Sequence, residues 1–553
     1  MCDRYLVMLE VSQKQAFIFS SNKLQDNVIN SATIAWVMSA DYFEQVTGKD
    51  KLFSKDSNFV YSGGGHTVLE FDSEENAKEF VKRISFNVRN EYPDMELFAK
   101  ALKYDNNSMP MENVRKLTAE LEKKKSERRI SFRQKSFGIE KHDVNTKKPE
   151  LISNEAYFSK KKIDKSGTNI SDFEKKINKY LLPTSYKSVS KFSDLGGSEN
   201  ESNFIAVVHI DGNAMGSQIG ELYSSLNKKF EEKDYSVKER WEEFKTEIRN
   251  FSENIDNAFK TSYKKMSDVV VKNMEKGNLK ELSLKDKNFP IRRIITEGDD
   301  ICFVAEGRIG IEASVEFLKA LYQGDEIKGI KGYSACAGVA IVHQKYPFYK
   351  AYELAEMLCN NAKKFGASLS SDGSGRDVSS IDWHIEFGEM KDTIDEIRSD
   401  YATFDGKRME LRPYIVVGTD EILEKEKIRQ YANFKKLLTK IINDKNVENR
   451  YSRSKIKEMR NAIKQGETVA EAFMRFNNIS DISFDAYQGI YTSPDINNIG
   501  TGKELERKLF IKTYDQIERS VVFDAIELLD TYIELKDEFE DEGENSNEQE
   551  GVR

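Results

Sequence analysis

The sequence is poor in the residues that build zinc sites and histidine-rich metal clusters. Only four cysteines and five histidines occur among its 553 residues. The cysteines are scattered, at Cys2, Cys302, Cys336 and Cys359, and none forms the CxxC pair of a zinc site. Two of them stand within apolar runs, where a reduced cysteine acts as a small hydrophobic residue. The pattern predicts no structural zinc site.

The chain also lacks the long apolar segments of membrane and exported proteins. No apolar run reaches the roughly 18 residues expected of a membrane-spanning helix. The first residues, MCDRYLVMLEVSQ, lack the cleavage pattern of a signal peptide. With 39% hydrophobic and 32% charged residues, the composition is that of a soluble protein. We therefore expect a cytoplasmic protein that does not associate with membranes and holds about three or four domains.

Two adjacent carboxylates stand on a predicted hairpin turn. The segment TEGDDICFVAE, at 296–306, places Asp299 and Asp300 between the apolar runs Ile291–Glu297 and Ile301–Ala305. Paired acids at a hairpin tip supply hard oxygen ligands, and Mg²⁺ bridges such ligands to substrate phosphates. The same residues are also ordinary turn chemistry, because aspartate beside glycine is common in tight turns.

A third carboxylate stands upstream, where Asp211 ends the predicted buried strand Phe204–Ile210. The runs after the hairpin predict a helix, a strand and a second helix, at 311–322, 333–343 and 348–365. This β-α-β-β-α-β order is that of a ferredoxin-like unit, with a long helical insertion at about 237–276. Such a unit brings Asp211, Asp299 and Asp300 to one end of one sheet.

The first hundred residues repeat this order. The predicted strands cover 5–11, a stretch through Tyr61, 67–71 and 95–102, and the predicted helices cover 13–21, 27–46 and 74–92. This copy has no acidic pair, and Glu10 alone does not replace three acids, so metal-dependent chemistry is not expected here. Its turn, Gly63-Gly64-Gly65-His66, either only closes a hairpin or lets backbone N–H groups approach a phosphate or ribose.

Several stretches carry a family resemblance: HIDGNAMG, EGDD, and SACAGVAIVHQKYPFYKAYELAEMLCNNAKKFG. They resemble the catalytic palm of the large polymerase-cyclase subunit of type III CRISPR effector complexes. LVMLEVSQKQAFIFSSNKL and YSGGGHTVLEF resemble the first palm of that family. In the family, and in the similar GGDEF cyclases, the hairpin motif begins with two glycines, and here Glu297 replaces the first. The resemblance predicts an α+β fold with two ferredoxin-like palms, a linker region and a C-terminal helical domain.

The same resemblance implies a nucleotidyltransferase that converts ATP into a cyclic oligoadenylate messenger in antiviral defence. Asp211, Asp299 and Asp300 are then the catalytic residues and the ligands of Mg²⁺ or Mn²⁺. Nucleotide contacts are implied in the second palm at Gly212, Asn213, Ser217, Gly298, Lys363 and Lys364 and in the first palm at Gly63, Gly64 and Gly65. Many family members carry a zinc site between the palms. This chain departs from that pattern, because its cysteines are scattered.

Two other functions stay open at this stage. Glu297 favours a catalytically silent scaffold subunit, whereas retention of all three acids favours activity. A stand-alone synthase making a cyclic dinucleotide for another defence system would need no guide RNA. In the CRISPR interpretation, the implied partners are other effector subunits with guide RNA and target RNA.

Many family members begin with a histidine-aspartate phosphohydrolase domain. This chain starts directly at the first palm strand, and its only adjacent His-Asp pair, His142-Asp143, has no supporting histidines nearby. We therefore expect the chain to lack that nuclease domain.

The predicted divisions are a first palm at 1–110, a basic inter-palm region at 111–200, a second palm at 201–418, a helical domain at 419–535 and an acidic tail at 536–553. From 115 to 150 there are twelve Lys or Arg against six Asp or Glu, and the bias extends to 165. This segment, 115–165, is either a surface that contacts nucleic-acid phosphates or a solvated helix face or loop. The tail holds eight acids and is predicted to be disordered.

The segments after the second palm helix carry further predicted elements. Strands are expected at 381–383 and 411–417, and helices at 424–442, 454–464 and 468–476, with a longer pair of helices within 503–533.

Overall fold

The computed structural model describes residues 4–48, 52–63, 65–127, 174–196, 203–285, 287–388, 391–443, 453–477, 479 and 509–536. Gly64, most of the basic segment and the acidic tail lie outside these residues, as does His142-Asp143. Among the described residues, none of the helices combines the length and apolar character needed to cross a membrane.

Two large sheets organise the described residues. The first sheet contains β1 (Tyr5–Ser12), β2 (Phe59–Gly63), β3 (His66–Phe71) and β4 (Glu96–Lys103), in the order β2-β3-β1-β4. The second contains β5 (Phe204–Gly212), β6 (Ile291–Glu297), β7 (Asp300–Glu306), β8 (Ala335–His343), β9 (Val378–Glu386) and β10 (Tyr414–Gly418), in the order β10-β9-β8-β5-β7-β6. A small hairpin pairs β11 (Phe510–Lys512) with β12 (Glu518–Ser520).

Both large sheets contain the ferredoxin-like strand order, with the first and third strands of each unit side by side. In the second sheet, β9 runs parallel to β8 and β10 runs antiparallel to β9, so the unit is extended by two strands. The predicted α+β fold class and its two ferredoxin-like units are confirmed.

The helices fill the connections between strands. The helices that connect the strands of the first sheet, or directly follow its last strand, are Lys14–Ile18, Leu24–Val37, Ala40–Thr47, Lys55–Asn58, Glu74–Glu91 and Pro110–Ser126. In the second sheet's connections they are Met215–Glu232, Val237–Glu275, Gly310–Gln323, Phe348–Leu369 and Ile394–Ser399. Those after β10 are Asp420–Lys425, Tyr431–Asn443, Arg453–Lys464, Glu467–Phe476 and Phe523–Leu528.

The helix Val237–Glu275, called here the long helix, links the two palms. It begins at a capping box, in which the Ser236 hydroxyl accepts from the Glu239 N–H and the Glu239 carboxylate accepts from the Ser236 N–H. Farther along, Arg249 donates to the carbonyl of Val60, 2.7 Å away, and Ser252 donates to a carbonyl of the same strand, β2. The predicted insertion at 237–276 is confirmed, and it fastens the second palm to the hairpin of the first.

The helix Phe348–Leu369, called here the cover helix, lies between the second sheet and the first palm. On its sheet side, Gly338 of β8 has no side chain, and a Cβ there would lie 1.9 Å from the Ala355 carbonyl oxygen. On its other side, Phe19 of the first palm packs against Tyr352, with ring centroids 4.1 Å apart. The cover helix therefore approaches the sheet closely and carries the contact with the first palm.

The predicted pair of long helices within 503–533 is wrong for the described residues from 509 onward. They form the hairpin β11–β12 and only one short helix, Phe523–Leu528. Asp515 accepts bonds from the Thr513 hydroxyl and the Ile517 N–H, and Gln516 takes a φ of 65°. These local side-chain bonds close a turn and compete with helical hydrogen bonding.

Other boundaries differ for similar reasons. The helix predicted at 27–46 is two helices, because the Ser39 hydroxyl accepts the Tyr42 N–H and starts the second one. The strand predicted from Leu411 begins at Tyr414, since the N–H groups of Leu411 and Arg412 donate to Asp524 instead. The helix predicted at 424–442 is interrupted near 426–430.

Candidate active site

Three carboxylates form a row across neighbouring strands at one end of the second sheet. Asp211 of β5 lies opposite Asp300 of β7, and Asp300 lies opposite Glu297 of β6. Directly opposed residues in antiparallel strands point to the same face of the sheet. The fourth acid, Asp299, stands in the turn between β6 and β7. The structure therefore brings together the three predicted acids and adds Glu297 beside them.

Glycines allow the hairpin turn to approach the end of β5. Gly298 takes a φ of 59°, which glycine adopts without strain. The Gly212 N–H donates to the Asp299 carbonyl oxygen at 3.2 Å. A Cβ on Gly212 would lie 2.9 Å from the Asp299 Cβ and 2.6 Å from the Met215 Cε. Gly212 and Gly298 thus set the position of the acids.

Burial and mutual repulsion raise the pKa values of three of these acids. Burial, and then the charges of Asp211 and Asp299, raise the pKa of Asp300 to about 8. Burial and Asp211 also raise the pKa of Asp299, and burial raises that of Glu297 to about 7. The Asp211 and Asp300 side chains are still 36% and 40% exposed, so the row opens to solvent. Clustered acids that repel one another favour a bound cation.

Lys363, on the cover helix, lies directly against the row. Its Nζ is 2.6 Å from Asp211 Oδ2 and 3.0 Å from the Gly212 carbonyl oxygen. Lys364 is exposed, because successive residues in a helix point about 100° apart. Of the two predicted lysines, the structure brings Lys363 to the site and leaves Lys364 outside it.

A second cation comes from the first palm. Lys14 follows β1, and its Cε and Nζ lie 2.3 Å from where a Cβ on Gly65 would be. Its charge lowers the pKa values of Glu297, Asp299 and Asp300, opposing the larger effect of burial. The glycine turn of the first palm therefore gives room for a lysine beside the acids of the second. Sequence reasoning missed Lys14, because only the packing of the palms brings it to the row.

The donor set fits a hard divalent cation in chemical type. Asp300 Oδ1 is closed to solvent and has no hydrogen-bond partner in the described part of the chain, as expected of an oxygen that can accept a cation. The row is not a finished metal cage: within the described ranges, no three His, Cys, Asp or Glu side chains are grouped to hold a metal ion. One oxygen of Asp211 is bonded to Lys363 instead.

Two other predicted nucleotide contacts have protein partners. Asn213 is buried, and its Nδ2 donates to the carbonyl oxygens of Val378 at 2.8 Å and Gly375 at 3.1 Å. It fastens the loop after β5 to the start of β9, so its amide nitrogen does not face the cleft. Ser217 lies near the start of its helix and accepts a bond from Arg376 at 3.2 Å. Arg376, which sequence reasoning missed, is a further cation near this end of the sheet.

The first palm repeats the geometry with different residues. Glu10 of β1 lies opposite His66 of β3, and Lys125 donates to Glu10 Oε1 at 2.8 Å. Gly63 ends β2 opposite His66, and Gly65 takes a φ of 76°. No second acid faces Glu10 at the described positions of this turn.

The basic segment is described only as far as residue 127. Within that part, Lys124 donates to the Ala99 carbonyl oxygen at 2.8 Å and Lys125 is bonded to Glu10. Both cations therefore contribute to the packing of the first palm, and nucleic-acid contact through 115–165 stays a prediction.

Comparison with known proteins agrees with this geometry. Residues 204–368 match the family model described as Cas10/Cmr2, second palm domain. A solved Csm1-Csm4 cassette in complex with cA3 matches with a TM-score of 0.51 at 14% identity, over 96% of this chain and 70% of that one. No curated protein matches the sequence.

Two further solved structures have the same coverage, 96% of this chain and 70% of the other. The Csm1-Csm4 cassette in complex with pppApApA has a TM-score of 0.50 at 12% identity, and Csm1 in T. onnurineus has 0.50 at 14%. Identities this low show a shared fold. The chain therefore has the fold of Csm1, and within it residues 204–368 match the Cas10/Cmr2 second palm.

Proposed function

We propose that this chain is a metal-dependent nucleotidyltransferase that joins ATP molecules and closes them into a cyclic oligoadenylate. The observation that carries the proposal is the row of Asp211 and Asp300, with Asp299 in the adjoining turn, at the open end of a palm sheet. The raised pKa values of Asp299 and Asp300 support a site that is completed by positive charge.

Asp211, Asp299 and Asp300 are the residues that would hold Mg²⁺ or Mn²⁺. Bound there, the cation lowers the pKa of a 3′-hydroxyl and neutralises charge on the attacked α-phosphate, from which pyrophosphate leaves. Gly212 and Gly298 keep the turn and strand end in register, so the three carboxylates lie at the same end of the sheet.

The cations around the row neutralise the rest of the triphosphate. With a cation bound to Asp211, the Lys363 ammonium, now 2.6 Å from that carboxylate, would be available to phosphate oxygens. Lys14 approaches from the first palm, and backbone N–H groups of the glycine turn at 63–65 contact a second nucleotide. The two palms thus face each other with one nucleotide on each, which suits repeated transfer and a final ring closure.

The similar structures support a proposal for the partners. Their descriptions place Csm1 with Csm4, in one case within a type III-A CRISPR-Csm interference complex, and two of them hold cA3 or pppApApA. We extend this to the present chain, with guide RNA and target RNA as activators, ATP as substrate and a role in cytoplasmic antiviral defence.

The test is incubation of purified chain with α-labelled ATP and Mn²⁺, with and without an effector complex carrying target RNA. We expect a labelled product that resists phosphatase, because a closed ring has no terminal phosphate. The matched variant Asp299→Ala/Asp300→Ala should make none. Absence of product in every condition, or equal product from the variant, would refute the proposal.

A silent scaffold is the second candidate, and two observations favour it. Lys363 already bonds Asp211, and Glu297 stands where the family has glycine. The same assay separates the candidates, since a scaffold makes no product even with target RNA. Product formed without any RNA would instead indicate a stand-alone synthase.

A further inference from the structure

A cavity of about 480 Å³ lies beside β6, the edge strand of the second sheet. Three parts of the chain line it: Gln25 of the helix Leu24–Val37, residues 174–189 and Arg292 of β6. Arg292 stands five residues before Glu297, which is about 16 Å along an extended strand. The cavity is therefore separate from the row of acids. Its volume is in the range of small-molecule sites, and a molecule in it would touch both palms.

Two arginines are buried together at this edge of the sheet. The side chains of Arg292 and Arg293 are only 4% and 7% exposed. Arg292 Nη2 donates to Glu174 Oε1 at 2.8 Å, and Arg293 Nη2 lies 3.8 Å from the same oxygen. Burial lowers the pKa of Arg293, and the charge of Arg292 lowers it as well, whereas Glu174 opposes both effects. Two buried cations thus share one carboxylate, although buried charge is costly unless it is paired.

Both arginines also have a donor that is not used. The Nε atoms of Arg292 and Arg293 are closed to solvent, and neither has a hydrogen-bond partner within the part of the chain that the structure describes. A buried N–H without an acceptor is uncommon, because it loses its bond to water and gains nothing in return. Since Arg292 lines the cavity, an anion placed there would supply both the missing charge and an acceptor.

The rest of the lining is polar on some residues and apolar on others. Polar side chains come from Gln25, Lys179 and Thr184. Apolar or aromatic side chains come from Leu182, Tyr186 and Val189. A planar guanidinium matches the oxygens of a phosphate group, and hydroxyl, amide and ammonium donors suit the same group. A bare phosphate ion would leave the apolar part of the lining unused, so the lining fits a phosphate carried on a larger organic group.

We propose that this cavity binds a small phosphate ester, of the size of a nucleotide or a sugar phosphate, and that Arg292 binds its phosphate group. The ligand would contact the first palm, the inter-palm region and the second palm at once, and so hold the three together. The inference is independent of the proposed function, because none of the acids of the row takes part in it.

The test is isothermal titration calorimetry of the full chain, without divalent cations, against four probes. The probes are AMP, ribose 5-phosphate, inorganic phosphate and adenosine. We expect at least one of the two esters to bind about 10-fold or more tighter than inorganic phosphate and adenosine. Tighter binding of AMP than of ribose 5-phosphate would identify a nucleotide as the source of the phosphate, and equal binding a sugar phosphate. No binding of either ester, or adenosine binding as tightly as AMP, would overturn the proposal.

Two variants at the ion pair should change the affinity for the tighter ester in opposite directions. Arg292→Lys keeps the charge but loses the planar set of donors, and should weaken binding by about 10- to 100-fold. Glu174→Gln removes the carboxylate that competes with the phosphate, and should tighten binding by about 5- to 10-fold. If the pair is only structural, both variants lower the melting temperature and neither changes affinity. That result would overturn the proposal.

Three lysine variants locate the bound ester. Lys179→Met should weaken binding by about two- to fivefold, whereas its matched control Lys176→Met, on the same helical stretch but outside the lining, should bind as wild type does. Lys363→Met, at the row of acids, should also leave the affinity unchanged. If Lys363→Met abolishes binding and Arg292→Lys does not, the ester binds at the row, so this inference is overturned and the proposed function stands.

Discussion

The two palms share a topology and even a salt bridge, yet the proposed function assigns metal chemistry to the second palm alone. Each first strand ends near an acid, Glu10 in one and Asp211 in the other. Each acid is bonded by a lysine from a helix, Lys125 at 2.8 Å and Lys363 at 2.6 Å. Because both palms have this pair of acid and lysine, the pair does not account for the difference in function that we propose between them.

The difference lies one strand away. The residue opposite the strand acid is His66 in the first palm and Asp300 in the second. Burial lowers the pKa of His66, so it adds no charge, whereas Asp300 adds a carboxylate to its row. Both palms keep the fold with different residues at this register position, and the proposed metal site requires an acid there.

The largest expected effect comes from removing that acid. Asp300→Asn should lower product formation by more than about 100-fold, since loss of a ligand exceeds the 10- to 100-fold cost of losing a partner behind one. Labelled-ATP turnover at saturating Mn²⁺ measures it. Glu10→Gln makes the equivalent change in the first palm and should leave turnover within about twofold of wild type. Equal losses from both variants would break the comparison.

The lysine prediction tests the shared salt bridge. Lys363→Met should lower kcat/KM for ATP by about 10- to 50-fold, a loss of about 1.4 to 2.3 kcal/mol of transition-state stabilisation. Lys364→Met is the matched control on the neighbouring exposed residue and should leave kcat/KM unchanged. Steady-state kinetics over a range of ATP concentrations measures both, and an equal effect at the two positions would remove Lys363 from the site.

The close approach at Gly212 predicts a packing effect. Gly212→Ala places a methyl group 2.6 Å from Met215 Cε and 2.9 Å from Asp299 Cβ, and should cost about 1–3 kcal/mol of the free energy of unfolding together with most activity. Gly216→Ala, in the following helix, meets nothing within 4 Å and should instead stabilise by about 0.5–1 kcal/mol. Chemical denaturation checks both signs, and destabilisation by both would contradict the account of the turn.

Protonation gives a smaller effect with a definite sign. The pKa of Asp300 is raised to about 8, above its ordinary value, so between about pH 4 and pH 8 the folded state holds more protons than the unfolded state. The contribution of this group to metal-free stability therefore falls as pH rises through that window. Mn²⁺ competes with the proton, so its addition should raise the melting temperature more at pH 8 than at pH 6.

Differential scanning fluorimetry measures this shift, and Asp300→Asn is the control that should abolish most of the pH dependence. A larger Mn²⁺ effect at pH 6 than at pH 8 would contradict the assignment.

The smallest expected effect concerns the residue that departs from the family. Glu297 has a pKa raised to about 7 by burial, so it is ionised at pH 8 and mostly neutral at pH 6. Glu297→Gln should raise the Mn²⁺ concentration for half-maximal activity by about two- to threefold at pH 8, since the attraction between two opposite charges is worth only about 1 kcal/mol near water. No change is expected at pH 6. If the wild-type protein made no product and Glu297→Gln made product at either pH, the result would favour the scaffold candidate.

Local patterns in the sequence were enough to predict the second palm. The apolar run before Asp211, the hairpin around Gly298 and the long helix Val237–Glu275 each combine a clear period with a turn or capping residue, and the structure has all three. The hairpin at 510–520 was not predicted, because its turn depends on hydrogen bonds to Asp515. The residue pattern of this stretch indicated a helix and gave no sign of those bonds.

The rest of the site depends on contacts between distant residues. Lys14 reaches acids almost 300 positions away, and the contact between Gln15 and Tyr352 spans 337. Asn213 was predicted to contact nucleotide because it follows the strand acid. Its amide nitrogen instead donates to the carbonyl oxygens of Gly375 and Val378. No period or motif in one sequence shows which side chain a packed loop will turn inward.

The central claim is that the cation lies in the second palm and not in the first. The most direct measurement is an anomalous-difference map at the manganese edge, from crystals grown with Mn²⁺ and a non-hydrolysable ATP analogue. We predict a peak within about 2.3 Å of oxygens of Asp211 and Asp300, and none between Glu10 and His66. A peak at the first palm, or no peak at the second with nucleotide bound, would contradict it.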